Sequence, residues 1–398
     1  MKSSQKRNLT LLWLAQAISQ AGDSIYQLAL LWLVLDISQS TIMTGMIAMC
    51  AYLPALIFGL YAGVFSDRLN RFKLMITANI AQAILVVLIP LIIWMGCENV
   101  WIICSLAFCR SCFNTFFQPS LQAFIPMIFK PEQITKINSI LVTSGQIAWL
   151  IGPFFAGAVL SVSSITNLFF VDSMSFVASS CLLFFIIKPK TPHQKIINGH
   201  WSDLKDGLSY LFSQHPIYWM MIITFINNIF IMGPAVVGLP ILVKSVLNGS
   251  AADFAFVEGC LALGALSGSL LITKLKNIFS SGIIWSIGLM LDGITFALFF
   301  FTDNIPITMI MIFFHGIGIP LIMVSRTSII QLYTPNKYHG RLFSVVHLGV
   351  VGTTAISSAL TGIFSSFIPI KFLFLFIGIC GAICGVVSLT IPSIKTLR

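Results

Sequence analysis

Long apolar runs separated by short polar segments set the pattern of this chain. The runs are apolar on every side and do not alternate with polar residues, so they predict membrane-spanning helices and not the strands of a transmembrane barrel. A helix needs about 20 apolar residues to cross a bilayer, which gives the 398-residue chain room for about twelve crossings. The predicted helices span residues 9–35, 43–66, 73–95, 100–123, 137–162, 166–187, 217–243, 252–273, 281–301, 306–331, 342–365 and 370–391.

The predicted helices form two halves of six, one covering residues 1–187 and the other 217–398. The longest connection, 188–216, lies between them and carries apolar residues at helical spacing, which predicts an amphipathic helix at the membrane interface. These apolar residues are Trp201, Leu204, Leu208, Leu211 and Phe212. The expected fold class is therefore an all-α integral membrane protein with twelve transmembrane helices in two six-helix pseudo-repeat halves.

Composition and charge agree with this expectation. Hydrophobic residues make up 57% of the chain and charged residues 9%, with a mean hydropathy of +0.97. Of the 22 Lys and Arg residues, eighteen fall in segments that this arrangement places inside, and only Lys244 and Lys371 fall in outer loops. The positive-inside rule therefore predicts that both termini are cytoplasmic. Because the net charge of +10 is spread over short loops, we expect the lipid bilayer as a partner and no nucleic acid. We also expect a monomer.

The nine cysteines mostly lie inside apolar runs, so we expect neither a disulfide framework nor a metal site. Cys109 and Cys112 have C-x-x-C spacing, but Arg110 lies between them and no second ligand pair is near, which favours packing between helices. The sequence shows no P-loop and no nucleophile or metal constellation close to a loop. We therefore expect no cofactor, no ATP-driven pumping and no enzymatic activity.

Polar residues line one face of the first and of the fourth predicted helix. They are Gln16, Gln20, Asp23 and Gln27 in the first helix, and Arg110, Asn114 and Gln118 in the fourth. Spacings of three and four residues place each set on one side of its helix. An ionisable side chain costs roughly 3 kcal/mol in hydrocarbon, so we expect these faces to contact water or protein.

The second half carries a similar pattern. Asn227 and Asn228 lie in the seventh helix, and His315 and Arg326 lie eleven residues apart, on one side of the tenth. Asp23 and Asn228 are separated by 205 residues, which is also the offset between two similar loops of the two halves. The shared offset predicts a substrate site near the midplane, between the halves.

Two interpretations of Asp23 and Arg110 stay open at this point. Either they neutralise each other as a structural pair, or Asp23 carries protons while Arg110 adjusts its proton affinity. The second interpretation is possible because desolvation raises the proton affinity of a carboxyl group, whereas a neighbouring cation lowers it. For Asp172, which has hydroxyl groups nearby, local capping or packing is favoured. Glu258 is expected near the outer end of its helix, and Asp292 is expected to be isolated.

Two glycine-containing segments stand out as candidates for conformational control. The first is the polar segment that contains Gly63, Asp67, Arg68 and Arg71, between the second and third helices. It is either a solvated turn or a clamp between helices. The second contains Gly152, Pro153 and Gly157 in the fifth helix. Its small residues permit close helix packing, and its proline frees a backbone carbonyl group that a bend can use.

Together these features resemble the major facilitator superfamily over nearly the whole chain. Segment 63–71 is similar to the signature between the second and third helices, with Asn70 in place of its second glycine. The Gly152-Pro153 segment is similar to the fifth-helix signature associated with antiporters, and Arg110 is placed like the fourth-helix arginine. Segment 335–341 looks like the bacterial branch that holds macrolide-type and siderophore exporters.

The resemblance implies that the first, fourth, seventh and tenth helices line the cavity, and that Asp67 and Arg68 steady one conformation without touching substrate. It implies a secondary transporter of the bacterial inner membrane that works by alternating access. We expect it to export a small amphipathic, drug-like molecule in exchange for protons. A dedicated siderophore exporter is the alternative, and a non-transporting membrane receptor or scaffold is the remote one.

Overall fold

The structure is a computed structural model that describes the backbone of residues 3–187 and 208–397. Most side chains in these ranges are described. The exceptions are residues 3, 4, 60, 63–68, 131, 132, 135, 136, 139, 142, 146, 336, 337 and 340. Most of the predicted interfacial segment, including Trp201 and Leu204, lies outside the described residues. Residues 208–213 are helical, with Leu211 buried and Phe212 exposed.

The described ranges contain twelve long helices and no strand. The first six are α1 (Ser3–Ser38), α2 (Thr41–Arg68), α3 (Arg71–Trp94), α4 (Val100–Ile128), α5 (Pro131–Leu160) and α6 (Thr166–Phe184). The next six are α7 (His215–Gly233), α8 (Ala251–Leu275), α9 (Ser281–Leu298), α10 (Ile305–Tyr333), α11 (Asn336–Phe364) and α12 (Ile370–Thr390). Beyond Gly233, α7 continues through two π-helical turns, Pro234–Gly238 and Leu242–Val246, separated by Leu239–Ile241.

The helices match the predicted positions, with extensions at their polar ends. The starts of α1, α5 and α11 lie six residues before the predicted starts, because helical hydrogen bonding continues past the apolar stretch that hydropathy detects. Eleven of the described helices are long and apolar enough to cross a membrane. The 36-residue α1 falls below that limit, because its polar face lowers its mean hydropathy.

The segment between α2 and α3 is shorter than predicted. α2 continues to Arg68 and α3 begins at Arg71, so only Leu69 and Asn70 lie between them. Asp67 is therefore in the last turn of α2 and not in a loop, which corrects the expectation. The side chains of residues 63–68 lie outside the described residues, so the roles of Gly63, Asp67 and Arg68 stay predictions.

Two side chains of this segment fix the start of α3. Asn70, which stands where the superfamily signature has a glycine, accepts a hydrogen bond from the backbone N–H of Lys73 at 3.1 Å and so caps the helix. Arg71 donates from Nη1 to the backbone oxygen of Ala123 in α4 at 2.9 Å. The polar residues at this end thus stabilise the local packing of α3 and α4.

Contacts group the chain into two compact units. The first consists of Met1–Ser38 and Leu53–His200, and the second of Gln39–Tyr52 and Trp201–Arg398. In the first unit, α1 packs on α5 and α6, and α3 packs on α4 and α6. In the second, α10 packs on α8 and α9, α9 packs on α12, and α7 packs on α11. Each unit therefore brings helices together that are distant in sequence.

Candidate functional site

In the first unit, Arg110 lies between two carboxylates that come from two other helices. Its Nη2 atom donates to Oδ1 of Asp23 in α1 and lies 3.7 Å from Oδ2 of Asp172 in α6. The Arg110 side chain is 10% exposed and the Asp172 side chain is fully buried, whereas the Asp23 side chain keeps 26% of its exposure. One guanidinium group is thus shared by a fully buried acid and a partly exposed acid.

Aromatic rings complete the surroundings of the guanidinium group. The Arg110 Cζ atom lies 3.9 Å from the centre of the Tyr26 ring and 5.4 Å from the centre of the Phe176 ring. Tyr26 in turn makes an edge contact with Phe169, whose centroid is 5.7 Å away. These rings attract the cation through their faces and exclude water from it, which strengthens its interaction with the carboxylates.

Close helix packing places the three charged groups together. A Cβ atom added to Gly22 would lie 2.5 Å from Oδ1 of Asp172 and 2.8 Å from Cβ of Ser175, so glycine is what lets α6 approach α1. On the other side of α1, a Cβ atom at Gly152 would collide with the Ser24 hydroxyl group. Gly152 therefore allows α5 to pack closely against α1 at Ser24, the residue that follows Asp23.

Three buried polar atoms of this cluster have no hydrogen-bond partner among the described residues. They are Arg110 Nε, Asp172 Oδ2 and the Tyr26 hydroxyl oxygen. Buried polar atoms nearly always have a hydrogen-bond partner in folded proteins. Three such atoms without a partner indicate that the cluster has room for a second hydrogen-bonding arrangement. With one cation and two acids, the cluster carries one negative charge when both carboxylates are ionised and none when it holds one proton.

The position of Asp172 corrects the expectation from sequence, which favoured local capping or packing. Ser175 does donate to Asp172, at 2.7 Å to its backbone oxygen and 3.3 Å to Oδ1. The ion pair with Arg110 is nevertheless made across helices. An aspartate in the middle of an apolar helix was the available signal. Ser175 and Ser179 lie on the same face of α6, but they do not indicate a charged partner.

The second unit contains a separate buried cluster on α7, α9 and α10. Asn227 donates from Nδ2 to Oδ2 of Asp292 at 3.0 Å, and Nδ1 of His315 lies 3.2 Å from Oδ1 of the same aspartate. All three residues are buried. The sequence suggested that Asp292 is isolated. The structure contradicts this, because α7 and α10 each bring a polar partner to it.

Asn228 points toward α11 and not toward Asp292. Its Nδ2 atom contacts the hydroxyl oxygens of Thr353 and Thr354 at 2.7 and 3.0 Å and the backbone oxygen of Val350 at 3.1 Å. The neighbouring residues Asn227 and Asn228 thus bind two different helices. The sequence placed both in a substrate cavity, and that assignment stays a prediction.

The remaining predicted residues of the first unit are distributed along the same faces. Gln20 donates to Gln16 at 3.2 Å within α1. Gln27 and Asn114 are partly buried, and Gln118 is exposed. Gly157 is buried in α5.

Arg326 of α10 is partly buried in the second unit. It makes no hydrogen bond and no ion pair with any residue whose side chain is described. A guanidinium group in a membrane helix without a protein anion nearby is a candidate for binding an anion from outside the protein.

The chain belongs to the transmembrane secretion effector family, whose model matches residues 4–396, and it is a multi-pass membrane transporter of the major facilitator superfamily. The resemblance seen in its motifs is thereby confirmed, as is the twelve-helix fold class. Proteins of this family are transporters and not enzymes.

Similar proteins extend over almost the whole chain. Macrolide efflux protein A of Streptococcus pyogenes is 23% identical over 394 residues, which cover 97% of this chain and 96% of the relative. The putative bacilysin exporter BacE of Bacillus subtilis is 23% identical over 376 residues, covering 94% of this chain and 92% of that protein.

Among solved structures, the nucleoside transporter NupG matches with a TM-score of 0.79 at 10% identity, covering 96% of this chain and 99% of NupG. A bacterial homologue of the iron transporter ferroportin, in an inward-facing state, matches with a TM-score of 0.73 at 15% identity, covering 96% and 98%. At these identities the likeness shows the fold and not the substrate.

Proposed function

We propose that this transporter exports a small amphipathic molecule by alternating access, in exchange for protons. The names of its relatives support export, since they include a macrolide efflux protein and a putative bacilysin exporter. The predicted inside-positive charge supports cytoplasmic termini in a bacterial inner membrane. We further propose that residues 1–187 and 217–398 act as the two moving halves of a monomer, with 188–216 as the linker.

The observation that carries the proton-coupling proposal is the sharing of Arg110 by two carboxylates of unequal access to water. Asp23 is in direct contact with the guanidinium group and is partly exposed, while Asp172 lies 3.7 Å away and is fully buried. A structural ion pair needs only one acid. The second acid gives the guanidinium group another place to bind when the first is neutralised.

The geometry suggests the steps of proton exchange. A proton that reaches Asp23 from water neutralises its carboxylate and weakens its attraction for Arg110. Nη2 then moves toward Oδ2 of Asp172, an atom that lacks a hydrogen-bond partner, and the buried charge of the cluster falls from one negative charge to zero. Loss of the proton on the other side reverses the movement. Movement of the Arg110 side chain from Asp23 of α1 toward Asp172 of α6 would link protonation to the packing of these helices.

The direct test is substrate-dependent proton flux. In proteoliposomes that contain a pH-sensitive dye, a macrolide antibiotic added outside should enter and drive protons out, so the lumen should become more alkaline. Empty liposomes and protein given an uncoupler provide the controls. No flux, with a macrolide that raises the thermal stability of the purified protein, would contradict proton antiport and favour a receptor or scaffold that binds without transporting.

A dedicated siderophore exporter is the second candidate, and Arg326 favours it. Its guanidinium group has no acidic partner among the described side chains, so it is available to an anionic substrate. A thermal-shift screen of the purified protein against macrolides and siderophores, at two pH values, separates the candidates. Stabilisation by siderophores alone would move the assignment to this second candidate.

We also expect Asp67 to act in gating. Replacing Asp67 by Asn should slow turnover several-fold while leaving the affinity for a macrolide nearly unchanged, because a carboxylate at the end of α2 would stabilise one conformation and not contact substrate. Initial transport rates and equilibrium binding measure the two quantities. The charge-retaining variant Asp67→Glu is the matched control, and a loss of affinity with an unchanged maximal rate would contradict a gating role.

A further inference from the structure

The Asp292 and His315 side chains of the second unit form an acid and base dyad that the exchange mechanism above does not use. Oδ1 of Asp292 lies 3.2 Å from Nδ1 of His315, and the other carboxylate oxygen accepts from Asn227 at 3.0 Å. Asp292 is 5% exposed and His315 is 3% exposed. Two titratable groups thus contact each other where water has almost no access.

The hydrogen-bond network determines which ring nitrogen of His315 faces acceptors. Nδ1 contacts both Asp292 and the Thr295 hydroxyl oxygen, the latter at 3.1 Å. That hydroxyl group donates its own proton to backbone oxygens of α9, at 2.7 Å to Leu291 and 3.0 Å to Asp292. An ionised Asp292 carboxylate can only accept, so Nδ1 carries a hydrogen atom whenever it bonds to an ionised Asp292.

The charge of the dyad depends on one further proton. With neutral His315 and ionised Asp292 the dyad carries one negative charge, and with one more proton on either residue it carries none. An uncompensated buried charge costs several kcal/mol, so the neutral form is strongly favoured in this setting. Aromatic rings around the histidine also disfavour a net charge on the dyad. The Phe296 ring meets the His315 ring edge-on with 4.6 Å between centroids, and the Phe374 centroid lies 5.4 Å from that of Phe296.

No other charged side chain among the described residues forms an ion pair with the dyad. α7 contributes the neutral amide of Asn227, and α12 contributes Phe374. The other titratable groups on the membrane-spanning parts of the neighbouring helices make no described contact with it. They include Tyr218 of α7, Glu258 and Cys260 of α8, Arg326 of α10, His347 of α11, and Cys380 and Cys384 of α12.

We propose that Asp292 and His315 form a second proton-binding site of this transporter, held in the second unit and separate from Asp23. The ligand is one proton, shared between Oδ1 of Asp292 and Nδ1 of His315. The two groups titrate as one unit, so the proton belongs to the pair and not to either residue alone. Each unit would then contain one buried cluster whose acids outnumber its fixed cations by one.

Spectroscopy of the purified protein in nanodiscs tests this site without a substrate. Nitrogen-labelled histidine reports the protonation of each ring nitrogen by nuclear magnetic resonance, and His315→Gln assigns the signal. Infrared spectroscopy reports a protonated carboxyl group, and Asp292→Asn assigns its band. Near neutral pH we expect either an imidazolium signal from His315 or a protonated carboxyl band from Asp292. A neutral imidazole together with an ionised carboxylate, on both sides of neutral pH, would overturn the proposal.

Two further measurements separate this site from the others. Proton binding measured by titration should fall by about one proton per protein in Asp292→Asn. The spectroscopic signals of His315 and Asp292 should be unchanged in Asp303→Asn. Asp303 is a suitable control because its side chain is 80% exposed and pairs with Lys371 at 2.6 Å outside the buried core. The His315 and Asp292 signals should persist in Asp23→Asn, so failure of the Asp23 mechanism and failure of this site have different signatures.

Discussion

Replacing Asp23 by Asn should abolish substrate transport driven by a pH gradient while leaving exchange of substrate for substrate intact. The amide cannot take up or release a proton, but it can still accept a hydrogen bond from Arg110, so the packing of α1 and α4 is retained. Transport into proteoliposomes under an imposed pH gradient, compared with counterflow at equal pH, measures the two activities separately. Gradient-driven uptake at the wild-type rate would remove Asp23 as the proton carrier.

A matched control and a companion variant sharpen this test. Glu98→Gln removes an exposed acid from the segment between α3 and α4 and should leave both activities unchanged.

Asp172→Asn should keep coupling but shift the pH dependence of transport toward acid. Without the second acid, protonation of Asp23 leaves the guanidinium group with no anion, so a more acidic outside is needed to load the proton. Loss of coupling in Asp172→Asn but not in Asp23→Asn would exchange the roles of the two acids.

Replacing Arg110 by Met should be strongly destabilising, with a loss of about 3–5 kcal/mol expected for removing the cation from a buried ion pair. The variant leaves Asp23 and Asp172 facing each other without a positive charge, and it also removes the cation from the ring of Tyr26. Protonation relieves the repulsion, so the unfolding temperature of Arg110→Met should rise as the pH falls. Thermal unfolding of the detergent-solubilised protein at two pH values measures both effects.

The combined variant with Asp23→Asn and Asp172→Asn separates charge from packing. If charge dominates, neutralising the acids should recover much of the stability that Arg110→Met loses, and the effects of the three substitutions will not add. Arg110→Lys retains the charge but not the planar fork that reaches two carboxylates and stacks on a ring, so it should recover only part of the stability. Equal stability of Arg110→Met and the wild type at both pH values would show that the cluster is not held by its charges.

Helical periodicity predicted part of the candidate site from the sequence alone. Spacings of three and four residues placed Asp23 and Arg110 on polar faces of α1 and α4, and the structure brings these two side chains into contact. The same reasoning did not identify the partners of Asp172 and Asp292, because only hydroxyl residues such as Ser175 and Thr295 share their helix faces. Their partners come from other helices, with Asn227 and Asp292 separated by 65 residues in sequence.

The sequence by itself determined the membrane class, the positions of the twelve helices and the resemblance to a transporter superfamily. These properties follow from local composition, since an apolar run must form its hydrogen bonds within a helix when it lies in lipid. Only the tertiary structure decided that Arg110 is shared by two acids and that Asp292 contacts His315. Periodicity gives the direction of a side chain on one helix, whereas the meeting of two faces depends on close packing, such as the approach of α6 to α1 at Gly22.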